Sequence, residues 1–350
     1  MRKNLIMVLC LVFVVAGIFA NGSSESKEEV SDEFNVAICL STGGLGDKNF
    51  NDMAYNGLMK AKEVYNINFD YFEPKTSSDF EQALRQFADI GKYDLIIGIG
   101  NDMVDSLKEV SPDYPDQKFS IIDARLEMDN VHSIETRWQD QTFLCGVYAG
   151  LGTLSDMENA NSENVVGVIL GMDFPSLQAG VVGFEAGARY VNKDAKVLTA
   201  TVGSFADPAK GKEIAISMYN RGADFIQPIA GSSGLGVFTA ALEKGFYAFG
   251  VGGNQNYIEP TVVAATSIRN VDEMVFNEVK SVIDGTWISE CSKNGLIEDA
   301  VGYSNDLSQV EIPQDIENAI NDIKSKIKNG DLVICSTSEE LESWLENNQY

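Results

Sequence analysis

The residues best suited to chemistry sit in short loops rich in Gly, Asn, Asp and Ser. The first reads Ser-Thr-Gly-Gly-Leu-Gly-Asp-Lys-Asn-Phe-Asn-Asp over 41–52. Its glycines let backbone approach a ligand closely. A phosphate-cradling loop would end in Gly-Lys followed by Ser or Thr, but here Asp47 precedes Lys48, and no GxGxxG occurs. A nucleotide-phosphate site is therefore disfavoured.

Two phenylalanines stand at equivalent places. Phe50 lies at the mouth of the helix that follows the first loop. Phe205 lies in Gly-Ser-Phe-Ala-Asp-Pro (203–208), where Asp207 reads as a helix N-cap and Pro208 as the first helical residue. Each ring is either a packing plug or one face of a sandwich around a flat ligand. Asp123 ends the apolar run Phe-Ser-Ile-Ile (119–122). Its carboxylate either caps backbone amides or accepts hydrogen bonds from a ligand. Arg269, after Thr-Ser-Ile, can pair with Asp123 or with the ligand. Catalysis finds little support. The single histidine, His132, falls inside a strand pattern and reads as structural, and neither GxSxG nor HExxH is present.

Alternating strand and helix patterns position these loops. Val36–Leu40, Ile67–Phe72, Asp94–Ile99, Phe119–Ile122 and Val131–Thr136 read as strands, with helices at Phe50–Tyr65 and around Phe80, Leu84, Phe87 and Ile90. After a polar stretch at Ser155–Asn164 the rhythm restarts. Strands are expected at Val165–Leu170, Lys196–Val202, Asp224–Ile229, Tyr247–Val251 and Thr261–Ile268, then a helix over Val271–Ile283. A short strand at Leu332–Cys335 and a final helix close the chain. Two α/β blocks with parallel sheets follow from this spacing. Ligands of such sheets sit beyond the carboxyl ends of the strands, so facing loops of two blocks would enclose a cleft.

The N-terminus predicts export. Arg2 and Lys3 precede an apolar run from Leu5 to Ala20, too short to span a bilayer. Residues 1–20 read as a signal peptide and 21–33 as a flexible tether. Cys10 lies in the middle of the run rather than at its end, so a soluble mature chain and an anchored one both stay open. The location is periplasmic or at the outer face of the cytoplasmic membrane. With 52 acidic against 26 basic residues, the chain would repel nucleic acid and anionic headgroups. Cys39, Cys145, Cys291 and Cys335 show no CxxC spacing, so no metal site is expected, and Cys291 and Cys335 could pair in an oxidising compartment.

The chain resembles the basic membrane protein family of ABC-importer solute-binding proteins, which includes purine-nucleoside-binding lipoproteins of spirochaetes. The resemblance rests on Gly-Gly-Leu-Gly-Asp-Lys-Asn-Phe-Asn (43–51), Phe-Ser-Ile-Ile-Asp (119–123), Gly-Phe-Glu-Ala-Gly (183–187), Ser-Phe-Ala-Asp-Pro-Ala-Lys-Gly (204–211) and Ala-Gly-Ser-Ser-Gly-Leu-Gly (230–236). It covers roughly residues 34–335. It implies a type I periplasmic-binding-protein fold, two Rossmann-like α/β lobes joined by a three-segment hinge. Residues 34–137 plus 265–292 would form lobe 1, and 138–264 plus 293–350 lobe 2. By the same resemblance Phe50 and Phe205 would stack on a base, Asn51 and Asp123 would hydrogen-bond it, and Gly231 would offer backbone to a sugar.

Three positions depart from the nucleoside pattern. Ser41 stands where the family has a cleft aspartate. Gly252 stands where it has a ribose-gripping aspartate, with Asn254 a partial substitute. Arg269 replaces a lysine. Each charged hydrogen bond to a sugar hydroxyl is worth about 1.5–3 kcal/mol, so the loss at 252 keeps a free purine base, riboflavin or a sugar in contention. The resulting expectation is a monomeric receptor, without enzymatic activity or cofactor, that passes a nucleoside, purine or flavin-like molecule to an ABC permease. A sensory ligand-binding protein is the alternative from another class. Trp138, at the hinge, reads as core or as a third aromatic wall.

Overall fold

The computed structural model describes residues 34–350, so the signal peptide and tether expected at 1–33 lie outside it. In chain order the first block comprises β1 (Asn35–Cys39), α1 (Phe50–Tyr65), β2 (Asn68–Phe72), α2 (Phe80–Ile90), β3 (Leu95–Ile99), α3 (Val104–Val110), β4 (Phe119–Ile122) and β5 (Val131–Thr136). α4 (Trp138–Gly152) leads into β6 (Val165–Leu170), α5 (Pro175–Val191), β7 (Lys196–Thr201), α6 (Pro208–Tyr219), β8 (Ala223–Ile229), α7 (Ser233–Lys244), β9 (Tyr247–Gly252) and β10 (Val263–Arg269). α8 (Val271–Ile283), β11 (Cys291–Asn294), β12 (Val301–Ser304), α9 (Gln314–Lys328) and α10 (Ser338–Asn347) complete the chain.

The strands form two six-stranded sheets, ordered β11-β5-β4-β3-β1-β2 and β12-β10-β9-β8-β6-β7. Every pairing is parallel except β10 with β12. Helices cover both faces of the first sheet, which explains its continuous apolar strands. Val36 and Ile38 of β1 pack with Leu58 of α1 and Val275 of α8, whereas Ala37 and Cys39 pack with Leu84 of α2 and Leu107 of α3. In the second lobe, α4 and α5 lie backbone to backbone. A Cβ on Gly183 would stand 2.3 Å from the Gln139 carbonyl, and one on Gly187 2.1 Å from that of Phe143. The Gly-Phe-Glu-Ala-Gly segment is thus a close helix contact rather than part of a site.

The chain crosses between lobes three times. The first crossing precedes α4. The second follows Arg269, because β10 stays paired with β9 in the second sheet while α8 packs on the first. The boundary expected at 265 therefore moves to the end of β10. The third lies between β11, paired with β5, and β12, paired with β10. The strand expected at Leu332–Cys335 does not form. Leu332, Ile334 and Cys335 are buried and Val333 is exposed, so the alternation is real, but the segment lies on the second core without joining a sheet. All four described cysteines are free, and the Cys291–Cys335 pairing is absent. Cys291 belongs to the first sheet and Cys335 to the core of the second lobe.

Candidate functional site

The loops beyond the carboxyl ends of the two sheets face each other across a cleft of about 600 Å³, part of it open to solvent. Its lining joins Ser41, Phe50, Asn51, Asn101, Asp102 and Asp123 from the first block to Phe174, Phe205, Gly231 and Arg269 from the second. Trp138, at the first crossing, lines it as well.

The 41–52 loop is held by its own carboxylates. Asp47 is buried and accepts the backbone N–H groups of Asn49 (2.9 Å), Asn51 (3.0 Å) and Asp52 (3.2 Å), the orphan donors at the start of α1. Asp52 in turn accepts from the N–H groups of Gly46 at 2.7 Å and Lys48 at 2.9 Å. Burial raises the Asp47 pKa, against the backbone donors that lower it. Asn51 is part of this framework. Its Oδ1 accepts from the Ser41 N–H at 2.9 Å and its Nδ2 donates to Asp47 at 3.1 Å. One amide hydrogen of Asn51 is left for anything bound. The Asp-Lys-Asn-Phe-Asn-Asp element thus sets the entry to α1 and the position of the Phe50 ring.

Asp123 has a left-handed backbone (φ 65°), and its N–H donates to Ile134 at 2.7 Å. This turn swings the carboxylate off the end of β4 into the cleft. Arg269, ending β10 in the other lobe, pairs with it through Nη1. The guanidinium lies 4.6 Å from the centre of the Phe50 ring and 4.3 Å from that of Trp138. Stacking on two rings suits a desolvated guanidinium. Burial raises the Asp123 pKa, and the Arg269 charge opposes that rise. Around this pair Asp123 Oδ1, Arg269 Nε, Trp138 Nε1 and Asn49 Oδ1 are buried without a hydrogen bond of good geometry, although the Trp138 and Thr136 side chains stand near enough to Asp123 to help hold its pKa down. Such atoms are costly unless something satisfies them.

Phe205 enters from the second lobe as expected. The Asp207 side chain accepts from the Lys210 N–H at 2.9 Å, and Pro208 opens α6. The Phe205 ring lies 6.4 Å from that of Phe174. Ser41, Phe50, Asn51, Asp123, Phe205, Gly231 and Arg269 all reach the cleft, but Gly252 and Asn254 do not line it. Gly252 (φ 87°) backs onto Asn49, whose Oδ1 would be 1.8 Å from a Cβ there. Asn254 turns away and donates to the Asp306 carbonyl at 3.0 Å. Asp102 is an addition to the sequence reading, while Asn101 ends the Gly-Ile-Gly-Asn segment (98–101), a loop expected beyond the carboxyl end of a strand. Asp102 accepts from the hydroxyls of Ser41 (3.2 Å) and Thr42 (3.4 Å), and burial raises its pKa. Asn101 donates to the Asp123 carbonyl at 3.0 Å and, across the cleft, to Ser176 Oγ at 2.8 Å. The dipeptide follows β3 without any motif to mark it.

Residues 34–337 match the family described as ABC transporter substrate-binding protein PnrA-like. The chain belongs to this family. It is 34% identical over 310 residues to a lipoprotein of Pyrococcus abyssi, covering 85% of this chain and 75% of the relative. Basic membrane protein A of Borreliella burgdorferi is 29% identical, with 97% of this chain and 98% of that one covered. Among solved structures, a solute-binding protein of an ABC transporter system from Aeropyrum pernix superposes with a TM-score of 0.81 at 25% identity, over 91% of this chain and all of that one. A glucose-galactose binding protein from Geobacillus stearothermophilus shares the fold at a TM-score of 0.60 and 17% identity, over 78% of this chain and 98% of that one. The fold is that of the type I periplasmic binding proteins, and the chain is the non-enzymatic solute-binding component of an ABC transporter.

Proposed function

We propose that the cleft captures a purine nucleoside or a related heteroaromatic molecule and that the chain hands it to an ABC permease at the outer face of the membrane. One observation carries this reading. A buried carboxylate oxygen of Asp123 and the N–H groups at Arg269 Nε and Trp138 Nε1 stand beside aromatic rings supplied by both lobes. A flat ring with adjoining N–H and C=O groups would meet an acceptor and two donors at once. Arg269 covers one face of Phe50, so the ligand would stack on the rest of that ring and on Phe205. Closure of the two lobes about the three crossings would exclude water from these contacts. Lipoproteins of Pyrococcus among the relatives support retention at the membrane.

A flavin or a free base remains the second reading. It is favoured by the absence of a carboxylate at Gly252 and by the turning away of Asn254. Calorimetry on stripped protein with inosine, guanosine, hypoxanthine and riboflavin tests both readings. A ligand at 100 times its Kd should stabilise the fold by about 2.7 kcal/mol. Binding of none of the four would refute the heteroaromatic reading.

A further inference from the structure

We infer that Asp102 is a specificity-determining residue of the cleft, a carboxylate that accepts hydrogen bonds from hydroxyl groups of the ligand's sugar. The inference rests on the nucleoside reading of the same site.

The geometry supplies the argument. Asp102 follows β3, and the β1–β3 pairing brings it beside Ser41 and Thr42, whose hydroxyls donate to Oδ2 at 3.2 and 3.4 Å. Backbone N–H groups of Thr42 and of Asp102 itself add to these bonds, so the loop orients the carboxylate without giving it a cation. Among the described residues no lysine or arginine pairs with Asp102, and Arg269, the cation in the lining, is already committed to Asp123. The other oxygen, Oδ1, points toward Gly100. A Cβ placed on Gly100 would lie 2.8 Å from Oδ1 and 3.4 Å from Cε1 of Phe50. Asp102 therefore flanks the edge of the Phe50 ring, where a substituent of a stacked base would project.

Among the carboxylates of the lining, Asp102 is the one left to grip a hydroxyl pair. Asp47 is saturated by backbone donors, half of Asp123 is taken by Arg269, and neither Gly252 nor Asn254 reaches the cleft. Three carboxylates against one guanidinium also set the ligand's charge. They accept donors and repel anions, which favours a nucleoside over its phosphate ester.

The test is calorimetry of the full chain with inosine and hypoxanthine, comparing the wild type with Asp102→Asn. We expect D102N to weaken inosine by about tenfold or more, as loss of a charged acceptor should, and to leave hypoxanthine within about twofold. Should D102N fail to fold, Asp102→Ser carries the same comparison, with hypoxanthine binding as the check on the fold. Equal losses for both ligands would reduce Asp102 to a loop-capping residue and overturn the inference, as would an unchanged inosine affinity. Wild-type binding of hypoxanthine without inosine would overturn the sugar-gripping role yet leave a base-binding cleft. Binding of neither would overturn the nucleoside reading and this inference together.

Discussion

Arg269, from the last strand of the central run in the second sheet, forms a buried ion pair with Asp123 at the end of a strand in the first. The pair joins the two lobes at the floor of the cleft, with side chains only 4% and 6% exposed. Removing one partner leaves an uncompensated buried charge, whereas removing both leaves none. Arg269→Met should therefore cost about 3–5 kcal/mol in urea denaturation. The double variant D123N/R269M should recover much of that loss. If the single and double variants unfold alike, the charge pair does not govern the contact.

Phe205 rests directly on the backbone of Gly171. An alanine Cβ there would fall 2.4 Å from Cδ1 of the ring, which cannot be accommodated without moving it. Overpacking of this kind costs about 1–3 kcal/mol. Because the ring faces the cleft, Gly171→Ala should push it into the ligand space and weaken binding roughly tenfold, in keeping with that strain. Calorimetry with the best ligand of the nucleoside series reads the effect. An unchanged affinity would mean that Phe205 is packing and no platform.

His132 is paired within the first lobe, its Nδ1 2.9 Å from the Glu278 carboxylate, which also accepts from Ser120 Oγ at 2.6 Å. Burial opposes the charged ring, but the bond and charge of Glu278, with Glu290, leave the pKa raised. The folded state then holds the proton to higher pH than the unfolded chain. Its contribution is fully present below the unfolded value near 6.5 and is lost as pH rises through the folded one. Wild-type stability should fall as the pH rises above about 6.5, and His132→Asn should flatten that slope. Equal slopes in the two proteins would remove His132 from the account.

Asp224 lies at the opposite end of the second lobe from the cleft, accepting from Thr153 Oγ1 and the Asn161 N–H, each at 2.9 Å. Its Oδ1 has no partner, and burial pushes the pKa up to about 6. Here too the native state keeps a proton that the unfolded chain releases, so stability is lost as the pH rises through about 6. Asp224→Asn should be the more stable protein at pH 8, by roughly 1–3 kcal/mol, with the advantage vanishing near pH 4. Thermal melts across that range provide the check, and a D224N melt below the wild type at pH 8 would contradict it.

How far the sequence revealed this molecule depends on what each segment packs against. Buried parallel strands such as Leu95–Ile99 carry their own signal, because apolar side chains are needed on both faces. Cys291–Asn294 carries none. It is an edge strand of Cys-Ser-Lys-Asn, defined only by its pairing with β5. That Phe50, Phe205 and Asp123 line the cleft was legible because each stands at or near a strand or helix end with its type against the local pattern. Asp102 was not, since its place depends on the β1–β3 pairing, which brings together residues some sixty positions apart. Asn254 misled for the converse reason: a polar residue in a promising loop found a carbonyl acceptor in the segment after β12.

The third crossing also fixes the order in which the molecule can be completed. The first lobe takes its cover over α1 from α8 and its outermost strand from β11, both encoded after the whole second sheet except β12. A chain emerging from the ribosome therefore carries a half-finished N-terminal lobe, with Leu58 lacking its neighbour Val275 and β5 an open edge, until Asn294 has been added. Neither lobe is a unit that synthesis can set aside as done. The protein becomes one object late and all together.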